Sequence, residues 1–314
     1  MQDFHVYSPT EIIAANLREG AERFDALHVQ ELAHLRELAT QILSTVPLSE
    51  LLQALPDHRP PAASPTQDAQ ALAPALSARL CGLHATHRSV MLALMLSHLL
   101  RQDKALPTGM FFTDTETVLP EASHKIIYQK SSYTDEAYLT LSSLLTNPQA
   151  VYAHSFPASC EAVYNGACEY CILPIENAVE GQLNAFARLI DRYELKIAAT
   201  CEIPESSAAR STRFALLRRR MLPIIELAHT EYRFACMLPQ GSSPDVCDLL
   251  LAARLCGLHP DRLSSLPSNE GQLSAQLTFF TQDADLHAFL LYLAMEAPHY
   301  TPIGYYPHLK QKGI

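Results

Sequence analysis

The hydrophobic period of this 314-residue chain changes once, near Lys125, and that change constrains the fold more than any other feature. Before it, apolar residues recur at helical spacing. After it, short apolar strands alternate with helices, the sign of an α/β region. The chain therefore reads as α+β and multidomain, with enough length for three cores. The expected boundaries are an all-helical domain over 1–105, an α/β domain over 106–222 and a ferredoxin-like domain over 223–314.

The helical part opens on Ser8-Pro9-Thr10-Glu11, a capping box with proline at the first helical position. The first helix is predicted to run to about Val46, where Pro47 stops it. Leu17, Ala21, Phe24, Leu35, Leu38 and Ile42 make an apolar stripe at alternating four-three spacing. A stripe that long seldom finds enough cover inside one short domain, so a homodimer is expected. Residues 56–65 are proline-rich and polar, a linker. Two further helices are predicted over about 69–80 and 86–103.

Composition narrows the partners. A formal charge of −10 argues against a nucleic-acid surface and against anionic membranes. The first residues lack a basic start followed by an apolar core, and the most apolar run, 90–96, is too short to span a bilayer, so a cytoplasmic protein is expected. The eight cysteines show no disulfide framework. Cys168 and Cys171 form a C-x-x-C inside an expected strand, where residues three apart face opposite ways, so they read as two small buried side chains. No metal or cofactor is expected.

The densest pattern is Asn165-Gly166-Ala167-Cys168-Glu169-Tyr170-Cys171-Ile172-Leu173-Pro174-Ile175-Glu176-Asn177, followed by Glu180-Gly181. Upstream stand Ile127-Tyr128-Gln129, Ser132-Tyr133-Thr134-Asp135-Glu136-Ala137 and Ser155-Phe156; downstream stands Ser211-Thr212-Arg213-Phe214. In chain order these segments resemble the prephenate dehydratases. The resemblance implies an α/β fold with Thr212, Asn177 and Glu176 at catalytic positions and Arg213 and Thr134 at substrate-binding ones. Such a reaction removes carbon dioxide and a hydroxyl from a dicarboxylate, so it needs a cation on a carboxylate and a donor at the departing oxygen. Two departures stand out. The loop 130–132 has no glycine, and 198–204 runs almost directly into 209–212, where the family carries a whole second lobe. A one-lobed domain with a one-walled cleft is therefore expected.

The first helix in turn resembles that of the all-helical chorismate mutases, which implies substrate contacts from Arg18 and, on the last helix, Gln102. Leu35 and Val46 stand where that family carries two more cations. Beyond 223, strand, helix, strand, strand, helix, strand are predicted at about 232–238, 245–256, 262–267, 272–281, 286–295 and 301–307, the ferredoxin-like order. This tail resembles the ACT domains, which implies effector positions at Ser265 and Pro267. Asp245 replaces the glycine that would admit an amino acid to the backbone. The whole is similar to the bifunctional chorismate mutase–prephenate dehydratases. Small aromatic-pathway carboxylates or phenylalanine are the expected ligands, and a dimeric pseudoenzyme or regulatory protein is the expected outcome of erosion at three sites. Surviving dehydratase or mutase activity is the alternative.

Overall fold

The computed structural model describes residues 124–204, 210–221, 230–267, 273–282, 284–297 and 299–309, with a subset of positions inside 19–44 and 86–97. The chain divides into two compact units, 1–102 and 103–314. In the first unit the described positions are helical. Val90, Met91, Ala93 and Leu94 are buried, and His87 Nε2 meets Glu31 Oε1 at 2.7 Å, which ties the two helical stretches together. Leu17, Phe24, Leu35 and Leu38, and the site candidates Arg18 and Gln102, lie outside the described residues.

The second unit is built on one sheet of ten strands. Its first half runs β1 (Lys125–Gln129), α1 (Ser132–Leu141), β2 (Gln149–Ala153), α2 (Phe156–Tyr164), β3 (Tyr170–Asn177), β4 (Gly181–Gln182), α3 (Asn184–Arg192), β5 (Lys196–Pro204) and β6 (Ser211–Arg218). Its second half runs β7 (Glu231–Pro239), α4 (Val246–Leu255), β8 (His259–Pro267), β9 (Leu273–Phe280), α5 (Leu286–Glu296) and β10 (Thr301–Leu309). The strand order is β2-β1-β3-β6-β5-β10-β7-β9-β8, with β4 paired to β3. The second half is ferredoxin-like: β10, β7, β9 and β8 are neighbours in that order and every pairing among them is antiparallel.

Local chemistry explains the element ends. Ser131 caps α1, its hydroxyl accepting from Thr134 N while Thr134 Oγ1 accepts from Ser131 N, so a glycine-free loop still turns cleanly into a helix. Ser155 caps α2 with a proline in its first turn, and Asp245 caps α4. Helix α4 ends on a glycine: Gly257 takes φ +85 and Leu258 N donates to Ala253 O.

Alternation along the strands gives the sheet two cores. Ile172, Phe214 and Leu216 pack under α1 with Ile126, Tyr128 and Cys201. Cys171, Leu173, Ala215 and Leu217 face the other way, against α2 and α3, and the same layer continues into Ala235, Ile303 and Tyr306 of the ferredoxin-like half. The helices α4 and α5 cover the opposite face of that half, where Phe289 meets Phe234 and Phe279 edge-on at 6.1 and 5.4 Å. Cys168 and Cys171 share one core rather than facing apart, because Cys168 lies before β3 begins and so escapes the pleat.

The sheet curls. Glu176 on β3 and Arg262 on β8 stand six strand steps apart, about 29 Å on a flat sheet. Their side chains nevertheless form an ion pair, and Gln182 Nε2 donates to Gln276 Oε1 at 2.7 Å across the same gap. Register shifts in β3, β5, β8 and β10 supply the bends that this closure needs. A one-walled cleft is thus not what forms. Because β10 lies parallel beside β5, the ferredoxin-like strands continue the sheet and wrap round to become the facing wall.

That junction is tight. A Cβ on Gly304 of β10 would lie 2.6 Å from Ile197 O of β5, so only glycine fits. Next to it His308 is buried, with Nδ1 3.0 Å from Thr200 Oγ1. Burial, followed by the charges of Arg233 and Arg213, lowers its pKa from 6.5 to about 4, while Glu202 and Glu231 push the other way. A histidine held neutral in the fold loses stability as pH falls, because only the unfolded chain takes up the proton between 6.5 and 4. We predict a loss of about 2 kcal/mol from this residue between pH 7 and pH 5. Urea midpoints at the two pH values should draw closer together in His308→Gln, and an unchanged gap would refute the assignment.

Candidate functional site

The last turn of β3 leaves the core. From Pro174 to Asn177 the strand is only half-buried, and its ladder with β6 shifts by one residue. In that ladder Asn177 stands opposite Thr212, and Glu176 opposite Arg213. Directly opposed residues share a face and successive residues do not. Thr212 and Asn177 therefore lie on one face, and Arg213 and Glu176 on the other.

Each of these groups already has local work. Asn177 Oδ1 accepts from Val179 N at 2.9 Å and from Glu180 N at 2.6 Å, which forms the turn into Gly181 at φ +68. Thr134 is buried, and its hydroxyl donates to Gln129 O at 2.7 Å. Arg213 Nη1 lies 2.7 Å from Glu176 Oε2. Glu176 also pairs with Arg262 through Oε1, and Asp261 pairs with Arg233 at 2.8 Å and lies 4.0 Å from Arg213. The result is a five-member network of three guanidinium groups and two carboxylates, spread over β3, β6, β7 and β8. Arg233 is 5% exposed, and its guanidinium also lies over the Phe280 ring, 4.8 Å from the centroid.

The network borders a cavity of about 710 Å³ inside the curl. Part of its lining is apolar, with Ile175, Ile190, Ile197, Met237, Ile303 and Tyr306. Burial pushes the Tyr306 phenol up to about 12, against the opposing pull of Arg233 and Arg213. Lys196 at the start of β5 and Arg219 and Arg220 just past β6 also line the cavity, together with Asp191 and Glu194. The two effector candidates lie elsewhere. Ser265 is exposed on β8 opposite Ala275, and Pro267 ends that strand opposite Leu273. Asp245, expected to obstruct an amino acid, accepts from Asp248 N at 2.9 Å as the cap of α4. Among the described residues no cluster of histidine, cysteine, aspartate or glutamate is arranged to hold a metal.

The strand-and-turn arrangement of Tyr128, Pro174 to Asn177 and the turn after it has a counterpart among known proteins. Residues 128–208 match the prephenate dehydratase family. The matched dehydratase segment runs from β1 through β5 and ends just before Thr212 and Arg213. No curated protein matches the chain. Among solved structures, a prephenate dehydratase from Streptococcus mutans is 20% identical, covering 59% of this chain and 99% of its own, with a TM-score of 0.48. A prephenate dehydratase from Arthrobacter aurescens in complex with L-Phe is 13% identical, covering 58% and 89%, with a TM-score of 0.45. GqqA, described as a novel type of quorum quenching acylase, is 17% identical over 58% and 94%, with a TM-score of 0.43.

Sequence reasoning missed Arg262, Asp261, Arg233 and Gln182. No local spacing could have found them, since Arg262 reaches Glu176 across 86 positions and Arg233 reaches Asp261 across 28. Removing the shared carboxylate takes the ion-pair partner from part-buried Arg262 and leaves Arg213 only Asp261, 4.0 Å away. Glu176→Gln should therefore cost about 2–4 kcal/mol in urea unfolding. A double-mutant cycle of Glu176→Gln with Arg262→Gln should return a coupling of about 1–3 kcal/mol, and zero coupling would show that the pair does not form.

Proposed function

We propose that this chain descends as a whole from bifunctional chorismate mutase–prephenate dehydratases and now works as a dimeric pseudoenzyme or regulatory protein. On this reading 1–105 is a mutase-like helical domain, 106–222 a dehydratase-like domain and 223–314 an ACT-like domain. The observation that carries it is that the chain itself engages the dehydratase positions. Thr212 and Asn177 lie on one face while Arg213, the carboxylate clamp, lies on the other and is engaged by Glu176 at 2.7 Å. A guanidinium already paired with a carboxylate has less charge to offer a small dianion. Asn177 supports the same reading, because its carbonyl oxygen is held by its own turn.

The alternative is surviving conversion of prephenate to phenylpyruvate, with or without mutase activity. It is favoured by the direct opposition of Thr212 and Asn177 in the ladder. The two readings separate in one assay. Purified protein should form phenylpyruvate from prephenate no faster than the uncatalysed reaction, and Thr212→Ala should change nothing. Formation that Thr212→Ala abolishes would establish the alternative.

The assembly reading rests on the apolar stripe of the first helix, where burying one such side chain is worth about 1.5–3 kcal/mol and two-fold symmetry counts it twice. Light scattering in the micromolar range should give twice the chain mass, and Leu38→Asp should halve or unfold it. A wild-type monomer under those conditions removes the dimer from the proposal.

A further inference from the structure

The cavity inside the curl has a second charged end, away from the dehydratase positions. Lys196 opens β5 and stands opposite Arg218 in the ladder with β6, so Arg219 and Arg220 leave the sheet beside it. Arg219 and Arg220 are exposed, and all three cations line the cavity. Arg219 Nη1 donates to Tyr164 O at 2.8 Å, and its guanidinium lies 4.6 Å from the centre of the Tyr164 ring. Both contacts are to uncharged groups, which hold the guanidinium in place without cancelling its charge. Asp191 in the last turn of α3 and Glu194 just after it offset two of the three charges, leaving one surplus cation at this end. The ion network at Glu176 leaves another, since its three guanidinium groups face two carboxylates. Two surplus positive charges around one cavity suit a dianionic group such as a phosphate monoester.

A polar stripe joins the two ends. Thr301 of β10 stands opposite Met237 of β7, and Met237 stands opposite Gln276 of β9, so the three share a face. Thr278 follows two residues after Gln276 on the same face. All four line the cavity, with Thr301 exposed and Gln276 half-buried. The stripe begins beside Lys196, whose Nζ donates to Pro302 O at 2.7 Å, and ends at Thr278, which stands opposite Arg262 of the network. Phe279, one residue on, faces the other way onto Phe289 of α5. Hydroxyl and carboxamide groups both donate and accept, so a row of them matches a row of ligand hydroxyls.

We propose that this cavity binds a phosphorylated sugar, its phosphate on Arg219 and Arg220 beside Lys196 and its hydroxyls along Thr301, Gln276 and Thr278. Met237 and Ile303 lie within the same lining and take the C–H face of the sugar. A cavity of about 710 Å³ holds such a ligand with water around it. The contacts involve neither Thr212 nor Asn177, so the proposal does not rest on the fate of the dehydratase chemistry.

The test is calorimetric titration of the full chain with D-glucose 6-phosphate and D-ribose 5-phosphate. D-Glucose and inorganic phosphate serve as probes that each carry half of the ligand. At least one sugar phosphate should bind with a dissociation constant below about 1 mM, and both half-probes at least about ten-fold more weakly. Arg220 is exposed, so Arg220→Glu should melt normally and weaken the sugar phosphate at least about ten-fold. Thr301→Val, also at an exposed position, removes one hydroxyl contact and should weaken it about three-fold while leaving inorganic phosphate unchanged. No binding of either sugar phosphate at about 10 mM overturns the proposal. Inorganic phosphate that binds as tightly as the esters overturns it too, by showing a charge site without sugar recognition. So does undiminished binding in folded Arg220→Glu, which places the ligand elsewhere. A phenylpyruvate assay on the same samples reads the dehydratase question separately.

Discussion

The ladder between β5 and β10 is the contact on which the second unit depends. It pairs the two strands in parallel at His308–Thr200 and Leu309–Cys201, and little else on the backbone joins the two halves there. Side chains and packing reinforce it. Lys196 Nζ donates to Pro302 O at 2.7 Å, Thr200 holds His308, and Gly304 lets the strands approach where any Cβ would collide with Ile197 O. Without this junction the dehydratase-like strands would end in an open edge at β5 and the ferredoxin-like strands in another at β10, each with unpaired amides. Joined, they share one core layer from Leu173 to Tyr306.

Joining also decides the shape. A sheet of this many strands twists, and twist together with four register shifts brings its far strands round to its near ones. The closure is polar: Glu176 to Arg262 and Gln182 to Gln276. Polar closure across a water-accessible cavity costs less desolvation than a fully buried pair, and it leaves the interior hollow where apolar side chains would have filled it.

Much of this fold was legible in the sequence and the site was less so. The strands and helices of the ferredoxin-like half follow the predicted order within a few residues at each end, because alternation, caps and the Gly257 terminator are local signals. The match of residues 128–208 was equally visible as a strand ending in Pro174-Ile175-Glu176-Asn177. The facing wall was not. The short connection between 204 and 211 raises the expectation of a one-lobed domain, yet nothing in it says that β10, a hundred residues later, will dock beside β5. The faces of Thr212 and Arg213 could have been read from their adjacency in a strand, but a family motif invites treating its letters as one site.

The energetics of the ion network bear on what such a site is for. Three guanidinium groups and two carboxylates, each at most 28% exposed on the side chain, leave a surplus positive charge in a region of lowered dielectric. Buried ion pairs repay their desolvation only with full hydrogen bonding, and apolar replacements often stabilise a fold more. This network is not fully bonded: Arg213 Nε, Arg233 Nε and Glu176 Oε2 are left over. As a device for stability it is a poor one, since Arg233 and Asp261 alone would balance each other, and the wall could close on Gln182 and Gln276. What the extra guanidinium adds is a surplus positive charge beside a cavity of mixed polar and apolar lining. A chain with a formal charge of −10 that concentrates arginines at one internal wall holds there a local field opposite to its own, and such a field acts on whatever small acid enters.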